Sequence, residues 1–175
     1  CINTLSRQHL INGIVEALKI FIIMDEPSLT LTINNLDRIL TKDSEILRLI
    51  ITSAIKLKID VVRHDEIETH QRMILNFGHT IGHAIEKILN YEILHGYAIA
   101  VGIIIEAKIA QLLDLLPDSD YDLIKTLFKK LNIDTGFLKS IEIAGLIGAT
   151  KNDKKSIIEN QQSTARYVIL KKIGQ

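Results

Sequence analysis

Three of the six histidines in this 175-residue chain fall in one stretch, NFGHTIGHAIEKILNYEILHGYAIAVG, residues 76–102. His79 and His83 stand four residues apart, and His95 follows beside Gly96. On a helix an i, i+4 pair shares one face, so His79 and His83 could present two imidazoles to one metal ion or one substrate. A zinc-protease helix would also need a glutamate directly after the first histidine, and Thr80 stands there instead. The competing reading is a set of half-buried, hydrogen-bonded histidines in a helix interface. A hard divalent cation would also call for a carboxylate, and Glu16, Glu66, Glu68 and Glu86 are the candidates. Glu16 is the conspicuous one, because it interrupts the apolar run INGIVEALKIFII, residues 11–23. Lys19 at i+3 offers an internal ion pair as the alternative role. A buried charge is normally paired or metal-bound, so both roles stay open.

Further polar groups lie just ahead of the histidines. HDEIETHQRMILN, residues 64–76, holds Asp65, Glu66, Glu68, Arg72 and Asn76. Read alone it is a solvated turn. Lys58 precedes it on a helical pattern. KNDKK, residues 151–155, is a basic turn that is either a solvated loop or a phosphate contact.

These side chains need helices to place them. The apolar spacing predicts helices over residues 8–24, 28–39, 43–63, 77–89, 96–114, 119–131 and 139–149. Asp43 is the N-cap type for the third of these. Pro27 and Pro117, the only prolines, each punctuate a helical pattern. His64 to Gln71 reads as a turn. STARYVILKKIG, residues 163–174, alternates and is rich in strand formers, so it is the strand candidate, paired with 156–159 as a hairpin. A helix over 79–89 rises about 15 Å. Asn90 to Leu94 spans at most about 17 Å when extended. The chain can therefore return and set His95 beside His79.

Composition bounds the rest. Apolar residues make up 47 %, enough for a packed domain. Basic and acidic side chains number 21 each, which argues against a general nucleic-acid or anionic-membrane surface. Cys1 is the only cysteine, so no internal disulfide and no thiolate metal cage is available, and a cytoplasmic setting is expected. The longest apolar run, Ala98 to Ile105, ends at Glu106, well short of the roughly 20 residues a membrane span needs. Gly78, Gly82 and Gly96 do not have the spacing of a dinucleotide loop. The chain opens on Cys1 without a methionine, and we read it as a piece of something longer.

Together the segments resemble the C-terminal domain of the 3-dehydroquinate synthase family over nearly the whole chain. The resemblance rests on RMILNFGHTIGHAIE followed by LHG, on TLSRQHLINGIVEALK, on LKIDVVRHDEIETHQR, and on NDKK and YVILKKIG near the end. It implies a mainly α, multihelical domain spanning residues 1–175, with a small C-terminal β-hairpin. An N-terminal NAD-binding α/β domain would lie outside this chain. The implied metal ligands are Glu16, His79 and His95, for zinc or cobalt, so only the first histidine of the i, i+4 pair binds metal. Glu68 and His83 become the implied catalytic groups. Lys19, Lys58, Arg72, Asn76 and Lys154 become the implied substrate contacts, with Lys154 favoured over Lys155.

The implied reaction turns 3-deoxy-D-arabino-heptulosonate 7-phosphate into 3-dehydroquinate and phosphate. It is a lyase step of the shikimate pathway leading to chorismate and the aromatic amino acids, with NAD as the second cofactor. A homodimer of the full-length form is also implied, as are a lack of turnover and at best weak zinc binding by this chain alone. Two positions depart from the family pattern: Val15 replaces an alanine, and Tyr97 stands where the family has glutamate after His-Gly. Tyr97 adjoins an implied ligand and keeps two neighbours in view, a 2-deoxy-scyllo-inosose synthase-like sugar-phosphate cyclase and a metal-dependent polyol dehydrogenase. A helical interaction module without catalysis is the reading from another class.

Overall fold

A computed structural model describes residues 2–66, 71–133, 135–151, 157–159 and 162–175, with the side chains of all of these except Gln71, 157–159 and 162–164. Its first long helix, α1, runs Arg7–Met24. Ser6 starts it by accepting the His9 N–H through its hydroxyl at 3.3 Å, an N-cap bond. α1 ends where Asp25 turns outward to cap the next helix, accepting the Ser28 N–H at 3.1 Å. That helix, α2, spans Glu26–Asn34, with Pro27 in its first turn, where a missing N–H costs nothing. α3 spans Leu36–Leu40 and α4 spans Ser44–His64. The single helix expected over 28–39 is therefore two, broken at Asn35, whose backbone leaves the helical region at φ −119° and ψ 20°. Asp43 caps α4 as expected, accepting from Glu45 and Ile46 at 3.0 and 3.3 Å.

The remaining helices are α5 (His79–Ile88), α6 (His95–Leu112), α7 (Asp118–Lys130) and α8 (Ile143–Lys151). Residues Gln71–Asn76 and Gly136–Ser140 form 3-10 turns. The helix expected over 139–149 starts later, because its first residues belong to the second of these turns. β1 (Ile157–Glu159) and β2 (Gln162–Thr164) pair antiparallel, with Ile158 opposite Ser163. The long strand expected over 163–174 is corrected. Strand pairing stops at Thr164, and among the described residues Ala165 to Gln175 form no strand. Leu170 and Ile173 of that segment are instead buried against the helices.

α1 and α6 form the centre. α6 packs on α1 on one side and on α5 on the other, α7 also rests on α6, α4 and α2 rest on α1, and α8 covers α5. Both central helices are apolar nearly all round, which is the pattern of an enclosed helix. Val15, Leu18, Phe21, Ile22, Ile99 and Ile103 have no exposed surface. A side chain of that size contributes roughly 1.5–3 kcal/mol on burial. A smaller cluster, Ile81, Ile85, Ala98 and Val101, fills the α5–α6 seam. Among the described residues no helix is long and apolar enough to cross a membrane.

Two glycine contacts set the central spacing. A Cβ on Gly102 of α6 would collide with the Gly78 carbonyl and stand 3.0 Å from the Gly82 nitrogen. The backbones of α5 and α6 can therefore meet directly. At Gly96 a Cβ would overlap the Asn12 backbone of α1, so the first turn of α6 also lies flush on its neighbour.

Candidate metal centre and substrate cleft

The flush contact at Gly96 is completed by a hydrogen bond. Its N–H donates to Asn12 Oδ1 at 2.6 Å. Asn12 lies one turn before Glu16 on α1, so it docks the start of α6 on the same face that carries Glu16. His95, the first residue of α6, is thereby brought beside Glu16. His79, the first residue of α5, reaches the same point from the other side. Glu16 Oε1 stands 3.6 Å from His79 Nε2 and 3.5 Å from His95 Nε2. One ligand atom from each of the three residues lies within 4.8 Å of the others.

The three donors suit a divalent ion. Tetrahedral zinc ligands at 2.0–2.2 Å stand roughly 3.3–3.6 Å apart, which is the separation of the two Glu16–histidine pairs. Glu16 Oε1 is buried and makes no hydrogen bond, an orphaned acceptor of the kind that a cation satisfies. The other oxygen, Oε2, accepts from Lys19 Nζ at 3.0 Å. The two roles left open for Glu16 are thus divided between its oxygens.

The histidine rings are held from behind. His79 Nδ1 donates to the Phe77 carbonyl at 3.2 Å. His95 Nδ1 donates to the Glu86 carboxylate, 3.1 Å from Oε1. With both Nδ1 atoms protonated, both Nε2 lone pairs point at Glu16. Burial and the nearby Lys19 cation push His79 down to about 3, so it is neutral at ordinary pH, as a ligand must be. Burial opposes the Glu16 carboxylate, yet contact with His95 and the charge of Lys19 hold it below the ordinary range. Contact with Glu16 raises His95 against burial, with help from Glu86. In the metal-free protein a proton on His95 offsets the Glu16 charge, and a cation at the centre takes over that role.

His83 stands beside the cluster, its ring centroid 5.2 Å from that of His79 and 6.0 Å from that of His95. It lies outside the Glu16 set, but with Glu86 and His95 it forms a second group of potential ligands. Next to the cluster opens a cavity of about 190 Å³, lined by Glu16, Lys19, Lys58, Arg72, Asn76 and His79, with Ile20 and Leu75. Lys19, Lys58 and Arg72 therefore share one cleft with two of the implied metal ligands. Such a wall suits an anionic, hydroxyl-bearing ligand. Arg72 is braced: Asp65 accepts its backbone N–H at 3.0 Å, and Nη1 donates to the Glu66 carbonyl at 2.8 Å. Glu68 and Lys154 lie outside the described residues.

Tyr97 faces elsewhere. It lines a separate cavity with Arg7, Gln8, Ile11 and Asn132. The partner found for the His95 ring is Glu86, not Tyr97. Sequence reasoning named Glu86 only as a possible ligand, although His79, His83 and Glu86 fall at i, i+4 and i+7 of one face. Asn12 was missed, and its only signal was its place one turn before Glu16.

A family model described as 3-dehydroquinate synthase C-terminal matches residues 13–156, a range that contains all three converging ligands. The chain belongs to the 3-dehydroquinate synthase family. A 3-dehydroquinate synthase of Buchnera aphidicola subsp. Baizongia pistaciae is 38 % identical over 157 residues, covering 89 % of this chain and 44 % of that protein. One from Thermodesulfovibrio yellowstonii is 34 % identical over 175 residues, covering 99 % and 48 %. A solved 2-deoxy-scyllo-inosose synthase, complexed with carbaglucose-6-phosphate, NAD+ and Co2+, superposes with a TM-score of 0.82 at 27 % identity, covering 99 % of this chain and 47 % of its own. The chain thus spans about half the length of the relatives it matches.

Proposed function

We propose that this chain is the metal- and substrate-binding half of a 3-dehydroquinate synthase, acting on 3-deoxy-D-arabino-heptulosonate 7-phosphate. The observation that carries the proposal is the convergence of Glu16, His79 and His95 on one point beside a cleft walled by Lys19, Lys58 and Arg72. NAD and a divalent ion, when bound, would supply the transient oxidation and the polarisation of hydroxyl oxygens that the reaction needs. Glu16, His79 and His95 hold the ion. Lys19, Lys58 and Arg72 bind the sugar acid's carboxylate and phosphate oxygens, and Asn76 orients a hydroxyl. His83, at the edge of the cluster, exchanges a proton with the substrate. We assign the second proton-handling role to Glu68 and a phosphate contact to Lys154, on the family resemblance. NAD binds to the additional length found in the relatives, the full-length protein is a dimer, and it works in the cytoplasm.

The structural likeness to 2-deoxy-scyllo-inosose synthase favours one second reading, a cyclase for another sugar phosphate. Tyr97, the departure that raised it, turns away from the cleft, which supports the dehydroquinate branch. Metal content and substrate choice test the proposal together. The full-length protein is expected to carry one zinc or cobalt ion per chain and to consume the heptulosonate phosphate in preference to glucose 6-phosphate. His79→Ala should remove the ion and the activity. A normal rate in His79→Ala, or after chelation, would contradict the metal assignment, and preference for glucose 6-phosphate would establish the second reading.

A further inference from the structure

Glu106 is the most deeply buried carboxyl among the described residues, with no exposed surface, in the middle of the apolar helix α6. Its Oε2 accepts the Gly78 N–H at 2.7 Å across 28 residues of sequence. Gly78 is the N-cap of α5, in the left-handed region at φ 77°, and has no side chain with which to cap the helix. Glu106 therefore does from α6 what a capping serine or aspartate does locally. The next residue, His79, carries the Nε2 atom that faces Glu16. The same α5–α6 seam closes where Gly102 meets the Gly78 carbonyl, which itself accepts the Gly82 N–H at 2.9 Å. His95 heads that same helix.

We propose that Glu106 is a positioning residue for the metal centre: its bond to Gly78 fixes the first turn of α5 on α6 and so sets where His79 stands relative to His95. A buried carboxyl is a poor stabiliser in itself. Desolvation is unfavourable to it, and its Oε1 has no hydrogen-bond partner. An apolar side chain at this position would avoid that desolvation but leave the buried Gly78 N–H without its acceptor. What the carboxyl supplies is an acceptor to the residue before a ligand of the proposed centre. The inference rests on the reading that Glu16, His79 and His95 hold a metal.

Co2+ titration of the full-length protein tests it, with the visible absorption of bound Co2+ reporting ligand geometry and a thermal melt reporting the fold. Glu106→Leu removes the acceptor while filling the space, and Glu106→Met replaces it if the leucine variant lacks a cooperative melt. Glu106→Gln keeps an oxygen for Gly78. The expected result is a Co2+ affinity about 10–100-fold weaker and an altered absorption band in the apolar variant, with a cooperative melt retained. The glutamine variant should recover the wild-type band. An apolar variant that folds and binds Co2+ with unchanged affinity and band would overturn the proposal alone. A wild-type full-length protein that shows no bound-Co2+ band would overturn the metal reading beneath it.

Discussion

The Glu86 carboxylate shapes how His95 behaves. It accepts a hydrogen bond from Nδ1–H and, with Glu16, raises the His95 ionisation above its ordinary value. Metal uptake at Nε2 must displace the second proton of that imidazolium, while Nδ1–H stays bonded to Glu86. His79, already neutral down to about pH 3, contributes no such competition. The affinity for Co2+ should therefore fall by about tenfold per pH unit below the raised His95 ionisation, and level off above it. Glu86→Gln removes one of the two carboxylates that raise His95. The break should move to lower pH, and affinity at neutral pH should drop by about 10–100-fold. Isothermal titration at several pH values measures both, and a profile that does not respond to Glu86→Gln would assign the pH dependence to another group. Part of this was readable from residue types. A glutamate stranded in INGIVEALKIFII announced a special environment, while the direction in which Glu86 pointed was not readable, because i, i+7 spacing fixes a face and not a partner.

At the scale of elements, the centre depends on helix ends brought close by absent side chains. Both histidines of the proposed metal centre are first residues of their helices, and each helix start is clasped from outside: α6 by Asn12, α5 by Glu106. Gly102 is the point where α5 and α6 touch. Gly102→Ala would drive a methyl group into the Gly78 carbonyl, and α6 offers no slack, because both of its neighbours are packed on it. We expect a loss of at least about 1–3 kcal/mol, read as a lower denaturant midpoint. Co2+ affinity should weaken as well, since the same shift displaces His79. Unchanged stability would mean that the seam can open without consequence. The helix periods were legible in the sequence, and so were the Asp43 cap and the turn at Asp25. The break at Asn35 and the end of strand pairing at Thr164 were not. Both depend on what packs against the segment more than on the residues in it.

For the whole molecule, length is the governing fact. Relatives are about twice as long, and this half contributes ligands and cations but no glycine-rich dinucleotide loop. We therefore expect the 175-residue chain to show no turnover of the heptulosonate phosphate with added NAD and zinc, and to bind the metal weakly at best. Joining it to the N-terminal half of a relative should restore chelator-sensitive phosphate release. Turnover by the chain alone would refute the division of labour between the halves.

The sequence by itself determined which residues could do the chemistry: a carboxylate in an apolar helix, three histidines in one stretch, and cations ahead of them. It left open how they combine. Helical spacing groups residues that share a face of one element, and so offers His79 with His83. A metal site instead joins atoms from three elements. The Gly96–Asn12 and Gly102–Gly78 contacts decide it, because removing Cβ atoms at two crossings lets α1, α5 and α6 approach closely enough for Glu16, His79 and His95 to meet.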